Sequence, residues 1–426
     1  MDTAINDFVV AIVGGGLCGL SLATALKKRS IPFTIYEARS SFVELGAGIN
    51  IGPNALEAFR LIDNSLGEAI AKLCTRNEQG KENVWFQVRL GAPSGEYEDA
   101  RLITEVQSPP TGSMTVIRNE LLQTLARTAG LGNARFNKKL VSLSQDFSSV
   151  QLKFADGTDA RANVVIACDG IHSATRQAML GPNHPATNPQ YSDMGAFRAV
   201  VSVDKLAAAI GWEQARNSQM YLGPDAYVVM YPIERAQKVN VGLWPWHRVP
   251  WSSKEWVVPN QREKMKSIFE SWGETVHRIM DVMGDPPFYA THHVPHLKDI
   301  HQGQVLLIGD AAHAMTPHQG AGAGQGMEDV YVIAELLTHI DKTQPLQAQI
   351  DAAFFAYEAV RFKRADQVAQ TSMQAMEWLA DFYTKNITLA KLEEFATQAD
   401  KRLRWIWEDD IAGQATTAVE LMKSRM

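Results

Sequence analysis

The sequence has few cysteines, no excess of positive charge and no long apolar run. Its three cysteines are far apart in 426 residues and form no CxxC pair, so neither a disulfide framework nor a zinc site is expected. A net charge of −6 and a pI near 6.0 argue against nucleic-acid binding. No stretch is long and apolar enough for a membrane span, and no signal peptide is evident. These absences together predict a cytoplasmic protein.

What is present is the composition of a globular protein. Hydrophobic residues make up 46% and charged residues 21% of the chain, which are ordinary values. A chain of 426 residues is too long for one simple core, so two consecutive or intertwined domains are expected.

The amino-terminal part combines a strand pattern with a glycine motif. Residues 8–13, FVVAIV, are typical of a strand buried on both faces of a parallel sheet. GGGLCG at 14–19 follows, then a helical pattern to about Arg29, and a second strand over 32–36 that ends in Glu37. This GxGxxG arrangement predicts a dinucleotide site, and the alternative is a glycine turn that serves packing alone.

Each residue of that motif has a distinct predicted task. Gly14 permits the tight turn, Gly16 lets a pyrophosphate approach the backbone, and Gly19 lets the helix pack closely on the strand. Glu37 is placed to accept a ribose hydroxyl. Because this position is acidic, FAD or NAD is favoured over NADP.

A second glycine-rich segment occurs late in the chain. The apolar residues 305–308 predict a short buried strand, which ends at Gly309-Asp310 and is followed by a glycine loop and a helical pattern from Met327. Backbone N–H groups at such a helix start favour an anion or a cofactor. A strand predicted over 160–166 leads to a similar Asp169-Gly170, so the two acidic strand ends predict one crevice on one sheet.

Three further features leave alternatives open. ELGAGINIGPN at 44–54 is a second glycine loop or a surface turn. Arg118 stands at the predicted start of a helix, where a cation is unfavourable unless it faces an anion such as phosphate, and the alternative is a solvated arginine. No metal is expected at His292, His293 and His296, because Pro295 interrupts any helix and no carboxylate stands at ligand spacing.

From about 187 to 290 the pattern becomes rich in strands, proline and tryptophan. Strands are predicted over 194–203, 219–222, 226–232 and 238–244, closed by a helical run near 259–284. This part predicts a separate, mainly antiparallel layer over the substrate. Helices are predicted over 347–384 and within 386–426.

Three motifs in this order resemble the FAD-dependent aromatic hydroxylases, the flavoprotein monooxygenases of the p-hydroxybenzoate hydroxylase class. They are GGGLCG with Glu37, CDGIHSATR at 168–176 and GDAAHAMTPHQGAGAGQGMEDV at 309–330. AYEAVRFKRA at 356–365 also looks like a helix of this class. Within the class, ELGAGINIGPNA, PHQGAGAGQGMED and RWIWEDD are most similar to the salicylate hydroxylase subfamily.

The resemblance implies an α/β fold in which a Rossmann-like FAD-binding domain is interleaved with a mainly antiparallel substrate domain and followed by C-terminal helices. The implied boundaries are 1–80, 107–186 and 291–345 for the FAD-binding domain, 81–106 and 187–290 for the substrate domain, and 346–426 for the helical region.

The resemblance also assigns roles at the cofactor. Arg118 is expected on the flavin side, Asp310 at the ribityl or pyrophosphate region, and Asp169 near the cofactor and the path of the nicotinamide. The full implied cofactor-binding set is Gly14, Gly16, Gly19, Glu37, Arg39, Gly48, Arg118, Asp169, Asp310, Gly322, Ala323 and Gly324.

The implied activity consumes NADH or NADPH, as a transient co-substrate, and O2. In this class a flavin C4a-hydroperoxide attacks a phenolate, and with salicylate the attack expels CO2 and gives catechol. The partners implied are a phenolic acid and O2, and the chain is expected to be a monomer or homodimer. The alternatives are another hydroxybenzoate, a hydroxynicotinate or a phenolic biosynthetic intermediate as substrate, or a non-catalytic flavin-binding protein.

The candidate catalytic residues are His318, Arg198 and Tyr231. His318 has a ring suited to assisting phenol deprotonation or to anchoring a carboxylate, and its alternative is a structural role in the loop. Arg198 and Tyr231 match an arginine and a tyrosine that bind the phenolate in relatives, and their alternative is an ordinary pair on a sheet face. His313 is expected to be structural.

Overall fold

A computed structural model describes residues 8–42, 48–246 and 252–426. Residues 44–47 of the second glycine loop and Trp251 lie outside the described residues. None of the helices in the described ranges combines the length and the apolar character that crossing a bilayer requires.

Strands dominate the chain as far as residue 307, and the described chain after that point is helical. The strands are β1 (Val10–Val13), β2 (Phe33–Tyr36), β3 (Gly48–Asn50), β4 (Thr75–Arg76), β5 (Val84–Leu90), β6 (Leu102–Gln107), β7 (Met114–Ile117), β8 (Ala134–Arg135), β9 (Leu140–Gln145), β10 (Val150–Phe154), β11 (Asp159–Ala162), β12 (Val164–Ala167), β13 (Gln190–Ser202), β14 (Gln219–Gly223), β15 (Ala226–Ile233), β16 (Lys238–Pro245), β17 (Val257–Val258), β18 (Phe288–His293), β19 (His301–Gln302) and β20 (Val305–Leu307).

The helices are distributed over both halves of the chain, and a π-helical turn (Glu358–Phe362) joins α12 to α13. They are α1 (Leu17–Lys28), α2 (Pro53–Ile62), α3 (Asn64–Leu73), α4 (Arg118–Ala129), α5 (Ala174–Leu180), α6 (Val203–Ile210), α7 (Trp212–Ala215), α8 (Arg262–Ile268), α9 (Glu274–Met283), α10 (Asp310–His313), α11 (Gly322–Thr338), α12 (Leu346–Tyr357), α13 (Lys363–Ala380), α14 (Leu389–Trp407) and α15 (Ile411–Arg425).

A six-stranded sheet in the order β19-β20-β12-β1-β2-β8 forms the nucleotide-binding part of the fold. Its strands are parallel except for β19. Every residue of β1 is buried, which explains its unbroken apolar sequence. Because β12 and β20 are adjacent and parallel, Asp169 and Asp310 follow neighbouring strand ends, and the predicted crevice is confirmed.

An eight-stranded sheet in the order β17-β18-β13-β16-β15-β14-β5-β6 forms the second layer. It is antiparallel except for the parallel pair β14–β5, and it joins early strands to those that follow residue 190, so the interleaved fold is confirmed. Side chains alternate along β15. Val228 and Met230 pack toward α6, α8 and α9, whereas Tyr227 and Tyr231 pack toward α13 and α14.

Some elements differ from the predicted ones. The strand predicted over 160–166 is two strands in two sheets, because the Asn163 side chain accepts from Val9 N (2.9 Å) and donates to Ser148 O (3.2 Å) at the break. The predicted helix over 347–384 is interrupted by the π-helical turn. Helices α6 and α7 and strand β18 were not predicted, since short elements carry little periodic signal.

The start of α11 is the difference that matters most for the site. The helix begins at Gly322, not at Met327. Glycine disfavours a helix interior, but here close packing requires it. A Cβ at Gly324 would lie 2.6 Å from Asn54 Nδ2 in α2, and a Cβ at Gly326 would lie 2.6 Å from Cys18 Sγ in α1. Burial against two helices therefore outweighs the low helix propensity of this segment.

Candidate active site

A cavity of about 880 Å³ lies between the two sheets. It runs from the GxGxxG turn, past the ends of β12 and β20, to the eight-stranded sheet and helices α13 and α14. The predicted site residues that line it are Gly14, Gly16, Glu37, Arg39, Gly48, Arg118, Asp169, Arg198, Tyr231, Asp310, His318, Gly322 and Ala323. Gly19 and Gly324 lie behind the wall as packing positions.

The GxGxxG turn has the geometry that its spacing predicts. Gly14 adopts φ +98°, and a Cβ there would lie 2.5 Å from Cys168 O. At Gly16 a Cβ would meet nothing within 4 Å, so this face of the turn is open to the cavity. A Cβ at Gly19 would lie 1.9 Å from Gly14 O, which shows how closely α1 packs on the turn. The open backbone beside a helix start suits a pyrophosphate.

Glu37 lies at the end of β2 with both carboxylate oxygens engaged by the backbone. Its Oε2 accepts from Gly15 N at 2.7 Å, and its Oε1 accepts from Arg39 N at 2.8 Å. A carboxylate has about four acceptor positions, so each oxygen retains capacity for a ribose hydroxyl. The two N–H bonds hold the acid in place at the adenosine end of the cavity.

The CDGIHSATR motif ties the two strand ends together. Asp169 Oδ1 accepts from Ser173 Oγ, and its Oδ2 accepts from Thr175 N at 3.0 Å. Burial raises the pKa of Asp169. Arg176, which is fully buried, donates to the carbonyl oxygen of Ala311 at 2.9 Å, just beyond Asp310. The motif therefore holds the segments after β12 and β20 in place through these hydrogen bonds, a role that was not assigned from the sequence.

The amino-terminal end of α11 faces the cavity at Gly322 and Ala323. The first N–H groups of a helix lack intrahelical acceptors and carry partial positive charge. This end suits the negative charge that reduced flavin carries at its N1–C2=O edge. The open GxGxxG turn, the fixed Glu37 and this helix start together fit FAD.

A buried charge network supports α11 from below. Glu328 and Asp329, both with fully buried side chains, pair with Arg361 at 2.5 and 2.9 Å. His313 Nε2 lies 2.6 Å from Asp329 Oδ2. Burial alone raises the pKa of Asp329, but the charges of His313 and Arg361 outweigh it and hold this pKa well below its usual value.

The same network accounts for His313 and for the π-helical turn. Burial lowers the pKa of His313, but the neighbouring Asp329 outweighs burial and raises it overall, so the ring is held as a cation. This placement agrees with a structural role. Arg361 was missed as a site residue, although it lies in the AYEAVRFKRA segment. The π-helical turn Glu358–Phe362 contains this arginine, which lies against α11.

The eight-stranded sheet contributes Arg198 and Tyr231 to the opposite wall. The Arg198 guanidinium lies 5.6 Å from the ring centre of Trp244 and 5.9 Å from that of Tyr289. Its buried Nε has no hydrogen-bond partner among the described residues. Tyr231 donates its hydroxyl to Gly48 O at 2.8 Å, and burial raises its pKa. Tyr231 therefore joins this sheet to β3, and its proton is already committed to a carbonyl.

His318 lies between the two walls and is a neutral ring. Burial lowers its pKa to about 3. Its Nδ1 is hydrogen-bonded to the hydroxyl of Tyr227, whose pKa is raised well above the ordinary value by burial. Either group can be the donor in this hydrogen bond, and when Tyr227 donates to Nδ1 the His318 proton resides on Nε2. Nε2 is buried and makes no hydrogen bond with any described residue.

In that tautomer His318 presents a hydrogen-bond donor to the cavity, and a pKa of about 3 makes its ring a weak base. Tyr227, the partner of His318 in this hydrogen bond, was missed from the sequence. The period-two alternation of AYVVMYPI, which places Tyr227 and Tyr231 on one face of β15, is the signal that identifies it. The three candidate catalytic residues line one cavity, but hydrogen bonds join His318 to Tyr227 and Tyr231 to Gly48.

A parallel sheet with a GxGxxG turn that shares one cavity with an antiparallel layer suits FAD, and the relatives below identify the chain as an FAD-dependent monooxygenase. A family model described as "FAD binding domain" matches residues 7–372, and the chain belongs to this family. FAD is its cofactor, and NAD(P)H is the typical co-substrate of the family.

Two curated relatives cover nearly the whole chain. The 6-methylsalicylate 1-monooxygenase atA of Aspergillus terreus is 34% identical over 429 residues, which cover 98% of this chain and 93% of the relative. A salicylate hydroxylase of Pseudomonas putida is 33% identical over 422 residues, with 94% and 92% covered. A solved salicylate hydroxylase substrate complex superposes with a TM-score of 0.85 at 31% identity and covers 97% of this chain and 98% of its own. The chain is therefore a salicylate-hydroxylase-like member of the FAD-dependent aromatic hydroxylases.

Proposed function

We propose that this protein is a salicylate 1-monooxygenase, which converts salicylate or a ring-substituted salicylate to catechol or the corresponding substituted catechol with release of CO2. The observation that carries the proposal is the character of the cavity end between the eight-stranded sheet and helices α13 and α14. Among the described lining residues there, Arg198 and Arg402 are cations and none is a carboxylate. Apolar and aromatic side chains supply most of the remaining wall, including Trp85, Phe86, Val88, Met220, Val229 and Trp244.

This environment suits an aromatic anion. Bound FAD supplies the redox chemistry that takes a hydride from NAD(P)H and activates O2. The protein has to bind the ring, favour the phenolate and exclude water. The aromatic walls bind the ring, and the cation of Arg198 favours the ionised phenol.

His318 contributes to this step by donating a hydrogen bond. In the neutral tautomer in which Tyr227 donates to Nδ1, the Nε2–H of His318 is available to stabilise an ionised substrate oxygen. A histidine with a pKa of about 3 is a poor acceptor for the phenol proton near neutral pH. Solvent or another group therefore removes that proton before the substrate binds. The candidate role of His318 is therefore a donor that holds the phenolate.

A panel of phenols tests the proposal. Salicylate, 6-methylsalicylate, the other hydroxybenzoates and a hydroxynicotinate are compared for NAD(P)H oxidation, O2 uptake, CO2 release and aromatic product. The proposal expects catechol and CO2 in equal amounts from salicylate, with little H2O2. NAD(P)H oxidation that yields H2O2 without catechol, or a faster and tightly coupled reaction that retains the carboxyl group of another phenol, contradicts it.

A further inference from the structure

The C-terminal helical region forms part of the cavity wall, and it places one charge there. From α14, Phe395, Ala399, Arg402 and Leu403 line the cavity. Their spacing puts all four on one face of the helix. Arg402 is therefore a cation within an otherwise apolar stripe that faces the cavity.

Arg402 has no carboxylate partner among the described residues. Its guanidinium lies 4.9 Å from the ring centre of Trp378, and its Nη2 donates to Thr371 O at 3.2 Å. Its buried Nε makes no hydrogen bond within the part of the chain that the structure describes. Arg404, two residues later on the exposed side of the same helix, pairs instead with Asp400 at 2.8 Å. Burial also lowers the pKa of Arg402, since no described acid offsets the desolvation of its charge.

A second donor lies next to Arg402. The Gln319 side chain accepts from Thr371 Oγ1 at 3.2 Å, and its Nε2 is buried without a hydrogen bond to any described residue. Thr371 therefore contacts both Gln319 and Arg402. Gln319, Arg402 and His318 line the same cavity, so this pair of donors shares it with the proposed phenolate position.

We propose that Arg402, assisted by Gln319, binds the carboxylate of the aromatic substrate and determines the preference for phenolic acids over neutral phenols. A planar guanidinium matches a carboxylate with two parallel hydrogen bonds, and an anion supplies the charged partner that this half-buried cation lacks among the described residues. This inference rests on the proposed function. In this arrangement Arg402 binds the carboxylate of the substrate, and His318 and Arg198 bind its phenolate oxygen.

The test compares ligand pairs that differ in one charge. Dissociation constants of salicylate and of its neutral amide, salicylamide, are measured from the change in the absorbance of bound FAD, in the wild-type holoenzyme, R402M and R404M. In R402M we expect salicylate to bind about 10- to 100-fold more weakly, with salicylamide changed by about twofold or less. R404M is expected to match the wild type, and R402K to recover part of the loss.

The possible results separate the two proposals. Equal weakening of both ligands in R402M, or no weakening of salicylate, overturns the role of Arg402. The same holds if R198M, and not R402M, removes the preference for the charged ligand. The same comparison is made with a second pair of ligands, 3-hydroxybenzoate and 3-hydroxybenzamide. This pair measures the preference for a carboxylate in ligands that are not decarboxylated. If salicylate yields no catechol while R402M still loses this preference in both pairs, the proposed reaction fails and the carboxylate site stands. FAD content and the thermal unfolding midpoint are measured for every variant.

Discussion

Replacing His318 tests whether this ring acts as a donor or as a base. Burial holds it neutral, with a pKa of about 3, and the proposed tautomer, in which Tyr227 donates to Nδ1, has its proton on Nε2. H318A removes the donor, whereas H318Q supplies an amide N–H of similar reach. A hydrogen bond to an ionised oxygen is worth about 1.5–3 kcal/mol, so we expect kcat/KM for salicylate to fall about 10- to 150-fold in H318A.

The variant pair and the pH profile together decide the question. H318Q is expected to keep most of the activity that H318A loses. The wild-type pH profile of kcat/KM between pH 6 and 9 is expected to show no limb that depends on His318, since this ring does not titrate there. Y227F leaves Nδ1 without its donor, and we expect a smaller loss, about fivefold, from one neutral hydrogen bond. The measurements are catechol formation, H2O2 yield and flavin-monitored substrate binding.

The reasoning fails if His318 behaves as a base. In that case H318Q is as inactive as H318A, and the wild type shows a limb near pH 6.5 that both variants lack. Unchanged turnover and affinity in H318A would instead remove the residue from the mechanism and leave it a structural role in the loop.

Two predictions concern the effect of buried ionisable side chains on stability. R361M removes the cation that pairs with both buried carboxylates, Glu328 and Asp329, so we expect a loss of about 3–5 kcal/mol in the free energy of urea unfolding. For the exposed pair of Arg278 we expect a loss of about 0.5 kcal/mol or less, and equal losses would contradict the prediction. For acid stability, unfolded His318 binds a proton with an ordinary pKa near 6.5, whereas the folded ring does not until about pH 3. The free energy of unfolding therefore falls as pH drops below 6.5, and between pH 7 and 5 the wild type should lose about 2 kcal/mol more than H318Q. Equal losses in the two proteins would show that the folded His318 ring titrates normally.

The fold was predictable where the local pattern reflects a strong constraint. Residues 8–13 are apolar throughout because the strand is buried on both faces, and Gly14, Gly16 and Gly19 are spaced as the turn requires. The acidic ends after β12 and β20 predicted a shared crevice because parallel neighbours end at one edge of a sheet. These features depend on residues close in sequence, so a single chain reveals them.

The start of α11 was predicted at the wrong residue because its glycines are required by contacts with residues far away in the sequence. Local propensity predicts a loop through Gly324 and Gly326, but the contacts with Asn54 and Cys18 come from α2 and α1. No window of sequence around residue 324 contains that information. A long-range packing contact therefore overrides local preference here.

The sequence by itself determined the class of cofactor, the interleaved architecture and a part of the residues that line the cavity. The tertiary structure decided which residues complete the cavity and which partners they have. Tyr227 is hydrogen-bonded to His318 across 91 positions of chain, and Arg361 pairs with Glu328 and Asp329 from the C-terminal region. Protonation and charge pairing depend on burial and on partners brought together by folding, so no local motif specifies them.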